Sequence, residues 1–514
     1  MEQETAELLF WRGESGRSFQ HIGTYEGRRV GLCANRYCSR GCAKAINHGF
    51  ETANVVVTLE HRGPTEKRPT EFWLAHPIEV VEIKPPPAQA STLVSAGGEL
   101  ETDASGLTAM CYTDGENSIL VDCGAPPGQN GNFNAALQRL LQAPNVAGAV
   151  ITHGHHDHCN LVHLFEGKVP IHVEPLTREF MEQQQRRQAR RNDDQAAASV
   201  RTVERVAAYT AGSSFEVGPF LVRSIVAPHS IPNSSMLLIK TPSGRLAFHA
   251  GEFKLNGMNW PIRLQVEKAL REIGQLGVDV MYCDNLQCHR EGFTPEECQA
   301  VRGVAEVILQ APGSVFVALF ASNLDRLGEL ARFSLQECGR PIYFKGSSIL
   351  FAKEFLERGQ VLPVGGEPHD QTVFFVTGCQ GEGNSTLCRE VIDCQPELRL
   401  HDGDTVVLSS TAIPGNEERI KKMVERLLTR GCRVVIHEGE IQKLGLQPNE
   451  RLREAFVHVG GHGYGGDVRR ALELVRPKVA IPAIDEPLQR KAFDKIAADL
   501  GIQVLKPADN HVVL

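Results

Sequence analysis

A short apolar run in this chain leads directly into a histidine-rich segment. Residues 147–151 read AGAVI, and residues 152–158 read THGHHDH. A short apolar run bounded by polar residues is typical of a buried strand. Imidazole and carboxylate groups are ligands of zinc and related metals, so the sequence predicts a metal site at the end of this strand. The candidate ligands are His153 and His155 for one ion, and Asp157 and His158 for a second.

A surface histidine cluster without a metal is the alternative for the same segment. Two features argue against it, because a surface cluster needs neither of them. An aspartate stands inside the histidine pattern, and a strand-like run stands directly before it. We therefore favour the metal site.

Composition limits the class of protein. The chain has 514 residues, with 54 lysines and arginines against 62 aspartates and glutamates, and a net charge of −8. The length predicts about three structural units. The charge argues against a globally basic nucleic-acid binder, although a local basic groove remains allowed. No apolar run approaches the roughly 18 residues that a membrane span needs, and none of the 14 cysteines forms a C-x-x-C pair. We expect a cytoplasmic protein with reduced thiols and no membrane association.

The order of apolar runs predicts a layered α/β architecture. From about residue 92 to residue 285, strand-like runs alternate with longer helical stretches, and a second region of this kind begins near Thr294. The first 85 residues read as a separate unit of short β-type runs, which ends at three consecutive prolines, residues 85–87.

The sequence resembles the β-CASP nucleases of the metallo-β-lactamase superfamily, and the RNase J family in particular. The H-x-H-x-D-H pattern after an apolar strand is similar to the superfamily signature. Further segments are similar to RNase J segments in the same order, over roughly residues 95–510. These are 118–124 (SILVDCG), 228–234 (PHSIPNS), 248–254 (FHAGEFK), 283–285 (CDN), 320–323 (FASN), 377–382 (TGCQGE), 409–417 (SSTAIPGNE) and 458–462 (HVGGH).

This resemblance implies a fold of the α/β class. We expect a metallo-β-lactamase αββα sandwich with an inserted β-CASP α/β domain and a small β-type N-terminal domain. The predicted domains are residues 1–85 (N-terminal), 92–293 and 406–514 (the two parts of the metallo-β-lactamase domain) and 294–405 (β-CASP). In the family, a β-CASP insertion accompanies activity on nucleic acids.

The resemblance also implies how metal ions would be bound. Zinc is the implied cofactor, with one or two ions in the active site. His153, His155 and His229 would bind one ion, and Asp157 and His158 the other. Glu252 stands where the family has a bridging aspartate.

Three residues are the predicted catalytic set. Asp284 and His462 match family positions that are implied to orient the nucleophile and to assist proton transfer to the leaving group, and Asp157 completes the set. The implied function is a metal-dependent ribonuclease, acting as an exonuclease, an endonuclease or both. It would hydrolyse phosphodiester bonds with hydroxide from zinc-bound water.

A turn before a helical pattern predicts a contact with substrate phosphate. Residues 411–417 contain proline and glycine, and their backbone N–H groups and the helix N-terminus would suit a phosphate. An ordinary strand-to-helix connection has the same composition and is the alternative. The candidate phosphate-binding residues are Ser410, Thr411, Gly415, Asn416 and His458.

Two departures from the family pattern concern the second metal ion. Glu252 is one methylene longer than the family aspartate, and Ile484 stands where RNase J has a further histidine. Because an aliphatic side chain cannot bind zinc, Ile484 weakens the second site. Asp485 or Glu486 is the alternative oxygen ligand. Enzymes of the group that cut DNA also carry an aliphatic residue at this position, so Ile484 favours the DNA branch or a one-zinc site.

The expected partner is a nucleic acid, with RNA favoured over DNA. A DNA-directed β-CASP nuclease, a metallo-hydrolase of small esters and a catalytically silent nucleic-acid-binding scaffold are the alternatives. The chain ends at Leu514, soon after His462, so we expect it to lack the C-terminal domain that RNase J uses for oligomerisation. A homodimer remains one candidate state.

The family does not account for the first 85 residues. Cys33, Cys38 and Cys42, followed by His48, are candidate ligands of a small zinc site. Their spacing matches no known zinc-finger pattern, and a set of free or buried thiols is the favoured alternative.

Overall fold

The computed structural model describes residues 107–125, 133–189, 201–203, 206–257, 260–358, 370–392, 398–505 and 510–514, and five strands before them. These strands are Gln3–Leu9 (β1), Ile22–Tyr25 (β2), Arg28–Leu32 (β3), Thr52–Arg62 (β4) and Phe72–Lys84 (β5). They form one sheet in the order β1-β4-β5-β3-β2, as expected for a β-type N-terminal unit. Cys33, Cys38, Cys42 and His48 lie outside the described residues, so their metal site stays a prediction.

Two further sheets are built from the segments on either side of the β-CASP region. The first contains Thr108–Asp114 (β6), Asn117–Gly124 (β7), Val146–Ile151 (β8), Ile171–Val173 (β9), Ala207–Ala208 (β10) and His511–Val513 (β24). The second contains Ser214–Val217 (β11), Phe220–Val226 (β12), Ser235–Lys240 (β13), Leu246–His249 (β14), Val280–Cys283 (β15), Val479–Pro482 (β22) and Gln503–Val504 (β23). Their orders are β10-β9-β8-β7-β6-β24 and β11-β12-β13-β14-β15-β22-β23.

These two sheets pack face to face around a shared apolar core. Tyr112, Val121 and Val150 of the first sheet and Ile239 and Val280 of the second belong to one buried cluster. Because successive strand residues point to opposite faces, each sheet also has an outer apolar face.

Helices cover the two outer faces. Phe133–Leu140 (α1) packs on the first sheet together with part of Pro175–Ala189 (α3), and the short helix His156–Cys159 (α2) lies between them in sequence. Trp260–Gln275 (α4), Gly465–Val475 (α11) and Pro487–Asp499 (α12) pack on the second sheet. The layers are therefore helix, sheet, sheet and helix, which confirms the predicted αββα sandwich. None of the described helices is both long and apolar enough to cross a membrane.

A separate parallel sheet contains the predicted β-CASP region and continues beyond it. Its strands are Val315–Ala318 (β16), Ile342–Lys345 (β17), Val373–Val376 (β18), Thr405–Leu408 (β19), Arg433–His437 (β20) and Leu452–Ala455 (β21), in the order β17-β18-β16-β19-β20-β21. All its pairings are parallel. The predicted boundary between residues 405 and 406 lies inside β19, and the sheet continues beyond it as parallel strands to Ala455.

Helices bury both faces of this parallel sheet, as parallel strands require. Glu297–Gln310 (α5), Leu324–Gln336 (α6) and Ser347–Arg358 (α7) pack on one face. Thr386–Val391 (α8) and Glu417–Thr429 (α9) pack on the other, next to the short helix Glu440–Lys443 (α10).

Gly124, the last residue of β7, permits the close approach of the histidine-rich segment. A Cβ atom built on Gly124 would lie 1.8 Å from the carbonyl oxygen of Asp157. The same carbonyl accepts a hydrogen bond from Thr108 Oγ1. Any residue larger than glycine would therefore push α2 away from the strand.

We expect Gly124→Ala to lower the free energy of unfolding by about 3 kcal/mol, because the added methyl overlaps fixed backbone atoms. Urea denaturation measures the change. Gly383→Ala is the matched control, since a Cβ there meets no atom within 4 Å, and it should stay within about 0.5 kcal/mol of the unmodified chain. Equal losses in the two variants would contradict the role of Gly124.

Candidate metal centre

The candidate ligands lie in loops that follow strand ends. His153 and His155 follow β8, His229 follows β12, and Glu252 follows β14. The two remaining ligands lie in the short helix α2. The strands thus fix the ends of these loops, and the loops bring the candidate ligands together.

The structure brings these side chains together in two groups that share one carboxylate. His153, His155, His229 and Glu252 form the first group; Asp157, His158 and Glu252 form the second. In each group the potential ligand atoms lie within 4.8 Å of one another. Glu252 Oε2 lies 3.1 Å from His229 Nε2, and Glu252 Oε1 lies 3.0 Å from His158 Nε2.

Hydrogen bonds on the far side of the imidazoles fix which ring nitrogen faces each group. His229 Nδ1 lies 2.9 Å from the Gly461 carbonyl oxygen and must donate to it, because a carbonyl only accepts. His158 Nδ1 donates to the Asp122 carboxylate over 2.9 Å. In both rings Nε2 is therefore the nitrogen that faces the ligand group, and it can bind a metal ion when it carries no proton.

The other two imidazoles also have partners outside the ligand groups. Thr152 Oγ1 donates to Asp122 over 2.8 Å and so accepts from His153 Nδ1 at 2.9 Å. The ring of His155 is reversed. Its Nδ1 lies 3.0 Å from His229 Nε2, while its Nε2 lies 3.4 Å from Ser322 Oγ of the β-CASP region. Each ligand imidazole therefore has an outer partner.

Asp122 supports the centre although it was not among the predicted site residues. Its buried carboxylate accepts from the Thr152 amide at 2.7 Å, from the Thr152 hydroxyl and from His158. Its backbone has a φ of 62° at the end of β7. The signal for it in the sequence is an aspartate directly after an apolar run.

The charges around the imidazoles differ. Burial lowers the pKa of His153 to about 4 and lowers the pKa of His155 well below its ordinary value, so both rings are neutral near pH 7. Burial also opposes charge on His158, but the carboxylates of Glu252 and Asp122 raise its pKa well above its ordinary value. A cation at His158 Nε2 would compete with this proton.

His462 and Asp284 form a hydrogen-bonded pair beside the two groups. His462 Nδ1 lies 2.9 Å from Asp284 Oδ2, and the buried Asp284 also accepts from the Leu286 amide at 2.9 Å. His462 Nε2 lies 4.0 Å from Glu252 Oε2. Burial opposes charge on this ring, but Asp284 and Glu252 raise the pKa of His462 to about 9. The imidazole is thus held as a potential proton donor.

Ile484 is fixed through its backbone. Its N–H donates to Asn285 Oδ1 over 2.7 Å, and its carbonyl accepts from Asn285 Nδ2 over 2.8 Å. Asp485 and Glu486 are exposed, and Asp485 pairs with Arg490 at 3.0 Å. Among the described residues, neither joins a ligand group, so neither replaces the missing histidine in this structure.

The helix N-terminus predicted to contact phosphate already has a negative partner. The Gly415 amide donates to the Glu417 carboxylate over 2.7 Å. Glu417 and Glu418 occupy the first turn of α9, and Asn416 Nδ2 lies 3.4 Å from Gln380 Oε1. Carboxylates at this end compete with phosphate for the helix dipole.

The remaining three phosphate candidates also have protein partners. Ser410 Oγ donates to the Cys379 carbonyl over 3.0 Å, and the Thr411 carbonyl accepts from a glutamine side chain at 2.8 Å. His458 is buried, and its Nδ1 lies 2.9 Å from Arg326 Nη1. All five phosphate candidates lie outside the two ligand groups.

The fold and the ligand geometry define the class of this chain, which is a metallo-β-lactamase fold joined to a β-CASP domain. Comparison with protein families agrees. Residues 117–301 match the beta-lactamase superfamily domain, and residues 312–427 match the beta-CASP domain of ribonuclease J. The chain thus combines a metallo-β-lactamase domain with a β-CASP domain of the ribonuclease J type.

Individual relatives point the same way. Ribonuclease J of Sinorhizobium meliloti is 28% identical over 406 residues, which cover 75% of this chain and 66% of that protein. Ribonuclease J of Corynebacterium glutamicum is 27% identical over 441 residues, which cover 82% of this chain and 57% of that protein. The chain therefore spans less than two thirds of the length of these relatives.

A solved structure shares the fold. It is a protein of unknown function from Enterococcus faecalis V583, with a TM-score of 0.53 and 12% sequence identity. The match covers 76% of this chain and 94% of that chain.

We expect Asp122→Asn to lower the free energy of unfolding by about 2 kcal/mol and to reduce metal binding at the second group. The amide would turn an N–H donor toward the donors of Thr152 or His158. Urea denaturation and metal analysis by inductively coupled plasma mass spectrometry measure the two effects.

Asp114→Asn is the matched control for this change. Asp114 accepts from the Ser243 amide at 2.7 Å and belongs to neither ligand group, so its variant should lose some stability and no metal. Unchanged metal content in Asp122→Asn would show that Asp122 does not support the centre.

Proposed function

We propose that this chain is a zinc-dependent ribonuclease that hydrolyses phosphodiester bonds. The observation that carries the proposal is the His462–Asp284 pair, joined over 2.9 Å, beside two ligand groups that share Glu252. The β-CASP match and the relatives named Ribonuclease J support RNA as the substrate. We further propose that the β-CASP domain extends to about residue 455, where its parallel sheet ends.

The donor set fits zinc. His153, His155 and His229 would hold one ion, and Asp157 and His158 the second, with Glu252 between them. Imidazole and carboxylate groups are the ligands of catalytic zinc. The outer hydrogen bonds direct Nε2 of His153, His158 and His229 toward the ligand groups. Bound zinc supplies a water of lowered pKa and neutralises charge on the phosphoryl oxygens.

Asp284, His462 and Asp157 would have separate roles in the reaction. Asp284 accepts from His462 Nδ1 and so holds the ring with Nε2 toward the ligand groups. A protonated His462 would give its Nε2 proton to the departing 3′ oxygen, which would otherwise leave as a poor alkoxide. Asp157, near His158 and Glu252, would orient the attacking water.

We expect about two zinc ions per chain, with the second bound more weakly than the first. The second group has three potential ligands without residue 484. Ile484→His should tighten the weaker ion, and Glu252→Gln should loosen both. Zinc titration against a chromophoric chelator measures these affinities.

A combined Cys33→Ser, Cys38→Ser and Cys42→Ser variant corrects this count for zinc bound by the N-terminal cysteines. Tight binding of a single ion in that variant, with no change in Ile484→His, would show that the second group does not bind zinc.

We expect cleavage of 5′-phosphorylated single-stranded RNA, and a loss of about 100-fold in kcat for His462→Ala with its zinc retained, because a general acid is removed. Asp157→Ala should lose both activity and the weaker zinc. His289→Ala is the control histidine, since His289 is exposed and belongs to neither ligand group; its kcat should not change.

DNA of the same sequence, tested in parallel, separates the main alternative. This alternative is a DNA-directed nuclease. It is favoured by the aliphatic residue at position 484, which resembles the DNA-cutting branch at this position. Preferential cleavage of DNA would replace RNA as the substrate. Hydrolysis of a chromogenic ester without nuclease activity would indicate a small-ester hydrolase, and a protein without zinc or activity would indicate a scaffold.

A further inference from the structure

A charged side chain of the β-CASP region is buried next to the metal centre. Arg326, in the first turn of α6, is 1% exposed. Burying a guanidinium group is costly unless its N–H groups are bonded. The partners of Arg326 therefore indicate which part of the structure the buried guanidinium stabilises.

The partners of Arg326 lie on the loop that carries His462. Arg326 Nη2 donates to the Val459 carbonyl over 2.9 Å, and Nη1 donates to His458 Nδ1 over 2.9 Å. Nη1 also reaches Ser409 Oγ, at the end of β19, over 3.2 Å. The guanidinium thus ties two loops of the parallel sheet to each other.

The same loop orients a zinc ligand. The Gly461 carbonyl accepts from His229 Nδ1 over 2.9 Å. A Cβ on Gly461 would lie 2.5 Å from His229 Cε1, so the loop lies directly against the ring. A shift of this loop would rotate His229 and displace His462 together.

Arg326 is also connected to the segments that carry Glu252 and His229. Its Nε donates to Glu297 Oε1, and Glu297 Oε2 accepts from Lys254 Nζ over 2.7 Å. Lys254 is 1% exposed and follows Glu252 by two residues. Its amide donates to the Pro228 carbonyl over 2.7 Å, directly before His229.

We propose that Arg326 is a positioning residue for the metal centre. It holds the loop of residues 458–462 so that the Gly461 carbonyl directs the lone pair of His229 Nε2 toward the first zinc ion. Its burial and its protein partners keep it away from substrate. The proposal rests on the proposed zinc site, and a zinc-binding measurement tests it even if the chain cleaves no nucleic acid.

The test compares two variants of Arg326 with a matched arginine on the same helix. Arg326→Met removes the guanidinium, and Arg326→Lys keeps the charge beside Glu297 but cannot bond to both His458 and Val459. Arg332→Met is the control, because the Arg332 side chain is 48% exposed and pairs with Glu337 at the surface.

We expect the dissociation constant of the tighter zinc ion to rise about tenfold in Arg326→Met and about threefold in Arg326→Lys, and to stay within about twofold in Arg332→Met. Competition with a chromophoric chelator measures it. In the nuclease assay kcat should fall while KM stays within about threefold, because the lost contact is not to substrate.

Two results would overturn the proposal. A zinc affinity in Arg326→Met within about twofold of the unmodified chain, together with a lower Tm, would make Arg326 a purely structural residue. If Arg326→Met does not fold, Arg326→Lys is the deciding variant. An unchanged zinc affinity in Arg326→Lys would also make Arg326 a purely structural residue. Zinc binding that responds as expected in a chain without nuclease activity would refute only the proposed function.

Discussion

The centre depends on one requirement, which is that each ligand imidazole keeps a lone pair directed inward. The opposite ring nitrogen must then carry a proton and donate it to a fixed acceptor. Asp122, Thr152 and the Gly461 carbonyl supply these acceptors for His158, His153 and His229. They come from separate parts of the chain, so the ligands keep their orientation only when the sandwich and the loop before α11 are both in place.

The contiguous part of the centre could be predicted from the sequence. The ligands between residues 153 and 158 stand together after an apolar run, and strand ends hold function in folds of this kind. The alternation of strands and helices also followed from the pattern, because strands buried on both faces read as continuous apolar runs. The resemblance supplied His229, Glu252, Asp284 and His462, which lie too far apart for local spacing to join them.

The remaining features had no local signature. The Gly461 acceptor is a backbone atom, and Arg326 on a helix reads as a solvent-exposed charge until the fold buries it. The domain boundary that we expected after residue 405 falls within β19. A buried parallel strand has the same apolar sequence pattern in either domain, so the pattern does not show to which domain β19 belongs. The composition of residues 411–417 allowed a phosphate contact, but it did not reveal that Glu417 accepts from the Gly415 amide.

Glu252 makes the two ligand groups interdependent. Its two oxygens lie 3.0 Å from His158 Nε2 and 3.1 Å from His229 Nε2, so one carboxylate belongs to both groups. With isoleucine at position 484, the second group has only Asp157 and His158 besides this carboxylate. An ion held by the first group would fix the Glu252 side chain and so prepare a ligand for the second. Because the second group has so few ligands of its own, its affinity for an ion would depend strongly on where an ion in the first group held Glu252.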